Sequence, residues 1–384
     1  MNVIEYKKST GQYFTVNEIL QQRVFDFVKH KGQRLLEPSF GAGHLLQKFK
    51  AYDANYPMVC FELDETIKPV VTFNNHQLIF YGDFTQQTAL PLFPTIIGNP
   101  PFVKQTAGNL YIQFIEQCYS LLADGGELIF IVPSDFMKMT RAASIITTMT
   151  ANGAFTDFYF PHDERLFDGA SIDVVVFRYE KGATTRFAQV NEKRMYCHVT
   201  NGILTFSDSE SVGRPLSERF DIYVGLVSGK EEVYKVPIGN IQVLNDIGTL
   251  DKYIFTTEFP TSDSAINAHL LAAKPALLAR KIRTFTELNW FEWGAPRNIT
   301  TIRAHMGEPC IFIQTLSRRK DVAFIEKVQY FGGGLLCMIP RAPMTTAELH
   351  TVVAFLNSSD FQKDYIYSGR FKIGHKQLEN VLLQ

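Results

Sequence analysis

Several things are scarce in this 384-residue chain. Its cysteines, Cys60, Cys118, Cys197, Cys310 and Cys337, are odd in number, scattered, and form no Cys-x-x-Cys. That argues against a disulfide framework and against a zinc site; no metal is expected, and a reducing cytoplasm fits best. No window reaches the ~18 consecutive apolar residues that a membrane span needs. The opening Met1-Asn2-Val3-Ile4-Glu5-Tyr6-Lys7-Lys8 has no apolar core, so a signal peptide is not expected. There is no internal repeat and no low-complexity stretch. An apolar fraction of 46% with 20% charged residues excludes a disordered, collagen-like or coiled-coil chain.

Net charge of one sign is missing as well, the total being -1. The distribution is uneven. From His269 to Gln384 there are 15 Lys and Arg against 9 Asp and Glu, a net of +6, while the 23 basic and 30 acidic residues before them give -7. A basic back half suits a phosphate backbone.

The first half alternates strand and helix signals. Helical spacing covers Val16 to His30, with Ile19, Leu20, Val24, Phe27 and Val28 on the apolar side. Strands are expected at 34–37, 58–63, 78–81, 95–97, 127–132 and 172–179. Helices are expected at 45–50 and 110–122, the second stopped by Asp124-Gly125-Gly126. This rhythm predicts an α/β fold, a mostly parallel sheet covered by helices on both faces. After Tyr179 it gives way to short strands and turns, then to mixed helix and strand from about 265. Two domains are expected, 1–182 and 183–384.

In parallel sheets, ligands sit beyond the carboxyl ends of the strands. Three acids occupy such positions. The turn Glu37-Pro38-Ser39-Phe40-Gly41-Ala42-Gly43 lets a ligand approach the backbone, yet it opens with a carboxylate. That charge repels a pyrophosphate and attracts an ammonium group. Glu62, beside Leu63, ends the second strand, where ribose hydroxyls are gripped. Asp83 can accept from an exocyclic amine, and Phe84 can cover an adenine ring. Together they suit S-adenosylmethionine.

The most specific segment is Asn99-Pro100-Pro101-Phe102, directly after a strand. Two prolines fix the backbone and remove two donors, leaving carbonyls free to accept. The Asn99 side chain adds an acceptor. Two acceptors converging on one NH2 group would hold it and build lone-pair density on its nitrogen, with Phe102 as a stacking plate.

With these motifs the chain resembles the gamma group of DNA adenine-N6 methyltransferases of restriction–modification systems. Ser9-Thr10-Gly11-Gln12-Tyr13-Phe14-Thr15 resembles that family's N-terminal cofactor motif, placed ahead of the glycine turn. Glu37–Gly43, Glu62 and Asp83-Phe84 resemble its next three cofactor motifs, and Asn99–Phe102 its catalytic Asn-Pro-Pro-Tyr/Phe. In Leu110-Tyr111-Ile112-Gln113-Phe114, Phe114 would line the adenine pocket of the cofactor. In Arg165-Leu166-Phe167-Asp168, Phe167 would pack on the target base. The resemblance implies a Rossmann-like class I S-adenosylmethionine-dependent methyltransferase sheet followed by a mixed α+β target-recognition domain. It implies a target adenine flipped out of double-stranded DNA. A cognate restriction endonuclease could act separately. Two departures stand out: Val16 follows Thr15 where Pro is common, and Phe102 replaces the commoner Tyr.

Tyr223-Val224-Gly225-Leu226-Val227-Ser228-Gly229-Lys230 resembles the Val-Gly-x-x-x-Gly stretch that opens the target-recognition region. Lys230, the cluster Arg318, Arg319 and Lys320 after Ser317, and the stretch Ser368 to Lys376 with Arg370, Lys372, His375 and Lys376 suit phosphate contacts. Trp290 and Trp293 are expected in the core. Three other readings share the planar NH2 chemistry or the fold: an RNA adenine-N6 or protein glutamine methyltransferase, a cytosine-N4 methyltransferase, and a non-catalytic DNA-specificity subunit.

Overall fold

A computed structural model describes residues 13–105, 108–163, 165–167, 172–210, 213–367 and 369–383. Ser9, Thr10, Gly11, Gln12, Asp168 and Ser368 lie outside the described residues. The chain divides into two compact units, Met1–Val212 and Gly213–Gln384.

The first unit is built on one sheet. Its parallel core is β1 (Leu35–Glu37), β2 (Met58–Glu62), β3 (Gln77–Tyr81), β4 (Phe93–Gly98) and, after the short ladder β5 (Lys104–Gln105) and β6 (Gly108–Asn109), β7 (Leu122–Pro133). Next come β8 (Gly153–Tyr159) and β9 (Val174–Lys181), with β9 inserted antiparallel between β7 and β8. The order from the far edge is β12 (Ile203–Ser207), β11 (Lys193–Thr200), β10 (Phe187–Val190), β8, β9, β7, β4, β1, β2 and β3. The run β3-β2-β1-β4-β7-β9-β8, with β9 as its one reversed strand, is the mostly parallel α/β sheet expected from the sequence.

Leu35 and Leu36, successive residues of β1, point to opposite faces and enter different cores. Leu36 joins the residues packed under helices Leu110–Ser120 and Ala143–Ala151. Leu35 joins those under helices Glu18–Phe27 and Leu46–Tyr52. β1 is short and wholly buried because helices cover it on both sides.

Sequence and structure differ in details. Ile19 faces solvent, and it is Gln21 that joins Leu20, Val24 and Phe27 on the buried side of the first helix. The helix from Leu110 ends at Ser120, and Gly125, at φ 72°, turns the start of β7 instead of stopping the helix. The first unit also continues past the boundary near 182. β10 (Phe187–Val190), β11 (Lys193–Thr200) and β12 (Ile203–Ser207) extend the same sheet, β10 pairing parallel with β8.

The second unit centres on a four-stranded antiparallel sheet of Phe220–Val224, Leu335–Pro340, Pro309–Gln314 and Ala323–Lys327. Alternation along Pro309–Gln314 again feeds two cores. Cys310 and Phe312 join Tyr234, Trp290 and Trp293, whereas Ile311 and Ile313 join Val352, Leu356 and Phe371. Gly225 crosses the Gly332 backbone so closely that a Cβ would overlap the carbonyl, which explains the glycine in the Val-Gly-x-x-x-Gly stretch. Among the described residues no helix is long and apolar enough to cross a membrane.

Candidate active site

Four strand ends carry the site. β1 ends in Glu37, whose side chain is 0% exposed. One carboxylate oxygen accepts from the Ser39 amide at 3.3 Å, and the other has no partner. Burial pushes its pKa well above the usual carboxylate range; the Ser39 amide opposes this, and the Glu62 charge adds to it. The Ser39 hydroxyl and His44 Nδ1 are also buried without a partner. Burial lowers the His44 pKa, favouring the neutral ring.

The turn beyond Glu37 depends on glycine. Gly41 sits at φ 54°, and a Cβ there would come within 3.0 Å of the Phe14 ring. Gly43 sits at φ 80°. Glu62, at the end of β2, accepts from the Gly41 amide at 2.8 Å and from the Asp64 amide at 2.9 Å. Its carboxylate therefore holds two turns in register and keeps lone pairs for further donors. Pro38 is buried and Leu63 is exposed. Asp83, beyond β3, accepts from the Thr85 amide at 2.8 Å and caps a short helical turn. Phe84 is buried, its ring 5.4 Å from Phe61 and 5.5 Å from Phe114. Its ring is thus packed in the core, not open as a cover.

β4 ends at Gly98, where a Cβ would lie 2.9 Å from the Phe130 ring and 3.3 Å from a Glu37 oxygen. Asn99 follows. Its Nδ2 donates to the Tyr13 carbonyl at 2.8 Å and to Thr15 Oγ1 at 3.0 Å. Its Oδ1 is buried and has no partner. A buried amide oxygen without a donor is costly, so such an atom points to a ligand that supplies one. Pro100 is buried, and Pro101 and Phe102 are half-buried.

Phe102 belongs to an aromatic group. Its ring centre is 6.4 Å from Tyr13, 6.1 Å from Tyr111 and 6.2 Å from Phe167, the last at 90°. Tyr13 and Phe167 are 6.2 Å apart, and Phe167 is buried. The structure brings together Tyr13, Phe14, Thr15, Asn99, Phe102 and Phe167 from distant stretches of sequence. With Phe102 and Phe167 edge to face, however, no planar ring fits between them.

In the second unit, Leu316 pairs with Lys372 and Ser317 with Phe371. The two basic clusters therefore share one small sheet. Arg318, Lys320, Arg370 and Lys372 are exposed. Several candidates are tied within the unit. Arg319 pairs with Asp246 at 3.1 Å, Lys230 with Glu232 at 2.6 Å and Lys376 with Glu379 at 2.6 Å, while His375 meets the Ile222 carbonyl at 2.7 Å. Trp290 and Trp293 are buried.

Two polar groups near the site lie outside the sequence motifs. His44 lies one residue past the glycine turn. Gln21 occupies the buried stripe of the first helix, and a polar residue on an apolar face is the sign that could have marked it.

Residues 63–167 match the family model described as Eco57I restriction-modification methylase. The chain is 28% identical over 199 residues to Type II methyltransferase M.HincII of Haemophilus influenzae, spanning 46% of this chain and 38% of that protein. It is 27% identical over 179 residues to Type II methyltransferase M.TthHB8I of Thermus thermophilus, spanning 40% of each. The matches thus span about two fifths of those relatives' lengths. Among solved structures, a type I restriction-modification system methyltransferase subunit from Streptococcus thermophilus aligns with TM-score 0.40 and 16% identity, over 52% of this chain and 51% of that one.

Proposed function

We propose that the chain is a site-specific DNA methyltransferase, the modification component of a restriction–modification system. In this reading it transfers a methyl group from S-adenosylmethionine to N6 of an adenine turned out of double-stranded DNA. The observation that carries the reading is the Asn99 amide: its nitrogen is satisfied by two acceptors, and its oxygen is left buried and empty at a strand end. The methylase match over residues 63–167, which contains Asn99–Phe102, supports it.

The residues present fit the cofactor. Glu37 is a buried carboxylate with an oxygen lacking a donor, which suits an ammonium group. Glu62 has lone pairs left for ribose hydroxyls. Tyr13, Phe14, Thr15, Pro38, Ser39, Gly41, Gly43, Leu63, Asp83 and Phe114 complete the proposed lining. The bound cofactor supplies an electrophilic methyl group on a sulfonium.

The protein supplies placement. An adenine inside the duplex is out of reach of a protein pocket, so the base must leave the stack. Tyr13, Phe102 and Phe167 part to admit it, and Phe102 takes one face of the ring. Asn99 Oδ1 and the Pro100 carbonyl accept the two N6 protons. Held this way, the nitrogen turns its lone pair toward the methyl group. No strong base is needed, because the proton leaves after the nitrogen has become cationic. Orientation and fixed dipoles provide the barrier reduction.

The test is to methylate DNA with the protein and identify the nucleoside by mass spectrometry. N6-methyladenine is expected. N4-methylcytosine, or methyl transfer to RNA or to protein glutamine alone, rejects the reading. Asn99→Ala is expected to lower turnover by at least ~100-fold, the scale on which removing one such polar group acts.

A further inference from the structure

Two atoms of the Asn99 amide have nearly the same shape and opposite hydrogen-bonding character. Which of them faces the substrate decides whether the side chain can accept from an NH2 group at all. Two neighbours of the amide settle this. The Tyr13 carbonyl, 2.8 Å from Nδ2, can only accept. Rotating the amide would set two acceptors against each other with no proton between them. Thr15 Oγ1, at 3.0 Å, takes the second proton.

Neither neighbour stands in a helix or strand, so something must hold this stretch. Residues 13–16 form a tight turn with the Val16 amide donating to the Phe14 carbonyl at 2.9 Å. Gln21 closes it from the first helix. Its Nε2 donates to the Thr15 carbonyl at 2.9 Å and to the Val16 carbonyl at 3.2 Å. Gln21 is only 3% exposed. The helix itself is anchored by Asn17, whose side chain accepts from the Ile19 and Leu20 amides. A buried polar chain thus runs from a rigid helix through main-chain carbonyls to the amide at the strand end.

We infer that Gln21 and Thr15 are positioning residues that fix the Asn99 amide with its oxygen toward the substrate, an inference that rests on the methyltransferase reading above. Neither residue need touch the target base. Thr15 acts through its hydroxyl on Nδ2. Gln21 acts one step further back, by pinning the consecutive Thr15 and Val16 carbonyls so that Tyr13 and Thr15 meet the amide.

The test uses Thr15→Val, which removes the hydroxyl at nearly constant shape, Thr15→Ser, which keeps it, and Gln21→Leu, which removes the clamp. Single-turnover methyl transfer is measured with DNA and cofactor both saturating, so weaker cofactor binding does not enter the rate. Thr15→Val and Gln21→Leu are expected to slow the step about 10- to 100-fold, the penalty of slightly misplaced reacting groups, and Thr15→Ser to stay within about threefold of the parent. A parental rate in Thr15→Val or in Gln21→Leu overturns the inference for that residue, and a Thr15→Ser variant as slow as Thr15→Val overturns it for the hydroxyl. Should Gln21→Leu fail to fold, the Thr15 pair decides. Asn99→Ala run alongside separates the two levels. A parental rate there rejects the role of Asn99 itself, whereas an inactive Asn99→Ala beside a parental Thr15→Val rejects only the positioning.

Discussion

The Arg178 guanidinium donates to Glu127 at 2.8 Å, and the two side chains are 5% and 0% exposed. Glu127 also accepts from the Lys29 and His30 amides and from Thr95 Oγ1, while Arg178 reaches Glu180 at 2.7 Å and Thr156 at 2.7 Å. One carboxylate therefore ties the chain beyond the first helix, β4, β7 and β9 together beneath the site.

Removing one partner strands the other charge in the core. Arg178→Met is expected to cost about 3–5 kcal/mol in urea unfolding. Adding Glu127→Leu should recover part of that loss, because an apolar pair of similar size needs no solvation. A cost below about 1 kcal/mol for the single change would show that the pair is not closed to water, since exposed pairs fall in that range.

In the proposed reading, Glu37 should link cofactor binding to pH. Its folded pKa is raised by burial, so below that value the folded protein holds a proton that the unfolded chain gives up near its ordinary 4.5. Stability from this group is present in full below the unfolded pKa and is lost as pH rises through the raised folded one. Docking an ammonium group favours the anion and expels the proton. Calorimetry of S-adenosylmethionine binding in buffers of different ionisation heat should therefore register proton release within that window. Affinity should climb with pH there, and Glu37→Gln should abolish both effects. Equal proton release in Glu37→Gln would place the titrating group elsewhere.

Phe102→Ala should weaken retention of an extruded base. With 2-aminopurine at the target position, the fluorescence rise on binding DNA is expected to shrink, since base–aromatic stacking is worth about 1–3 kcal/mol. An unchanged signal would assign the stacking surface to another ring.

Arg318 and Arg370 are exposed beside one small sheet and meet no carboxylate among the described residues, whereas Arg319 is already paired with Asp246. Arg318→Ala and Arg370→Ala should each weaken DNA binding across sequences and lower the salt slope by roughly 1. Arg319→Ala should do less. A slope unchanged in all three places the phosphate contacts elsewhere.

Much of the first unit was legible because its strands are local apolar runs that end in punctuation. Leu35–Glu37, Met58–Glu62 and Phe93–Gly98 were visible as strands, and the acids and Asn99 at their ends followed from where ligands sit in such sheets. What escaped depends on distant neighbours. β10–β12 look like detached hairpin strands until β10 finds the free edge of β8, a pairing that no local pattern encodes. Glu62 looked like a ribose ligand, yet its oxygens also hold the Gly41 and Asp64 amides. Phe84 looked like an open ring cover, and Phe61 and Phe114 claim it for the core. Gln21 is silent in the helical pattern, which marks only the apolar members of the buried face.

Gly98 has no side chain, and the Phe130 ring and a Glu37 oxygen close in on the place where one would be. The ends of β1 and β4 are therefore meshed like neighbouring gear teeth. Any side chain added at Gly98 would therefore press on the Phe130 ring and crowd the Glu37 carboxylate, disturbing the end of β1 from β4.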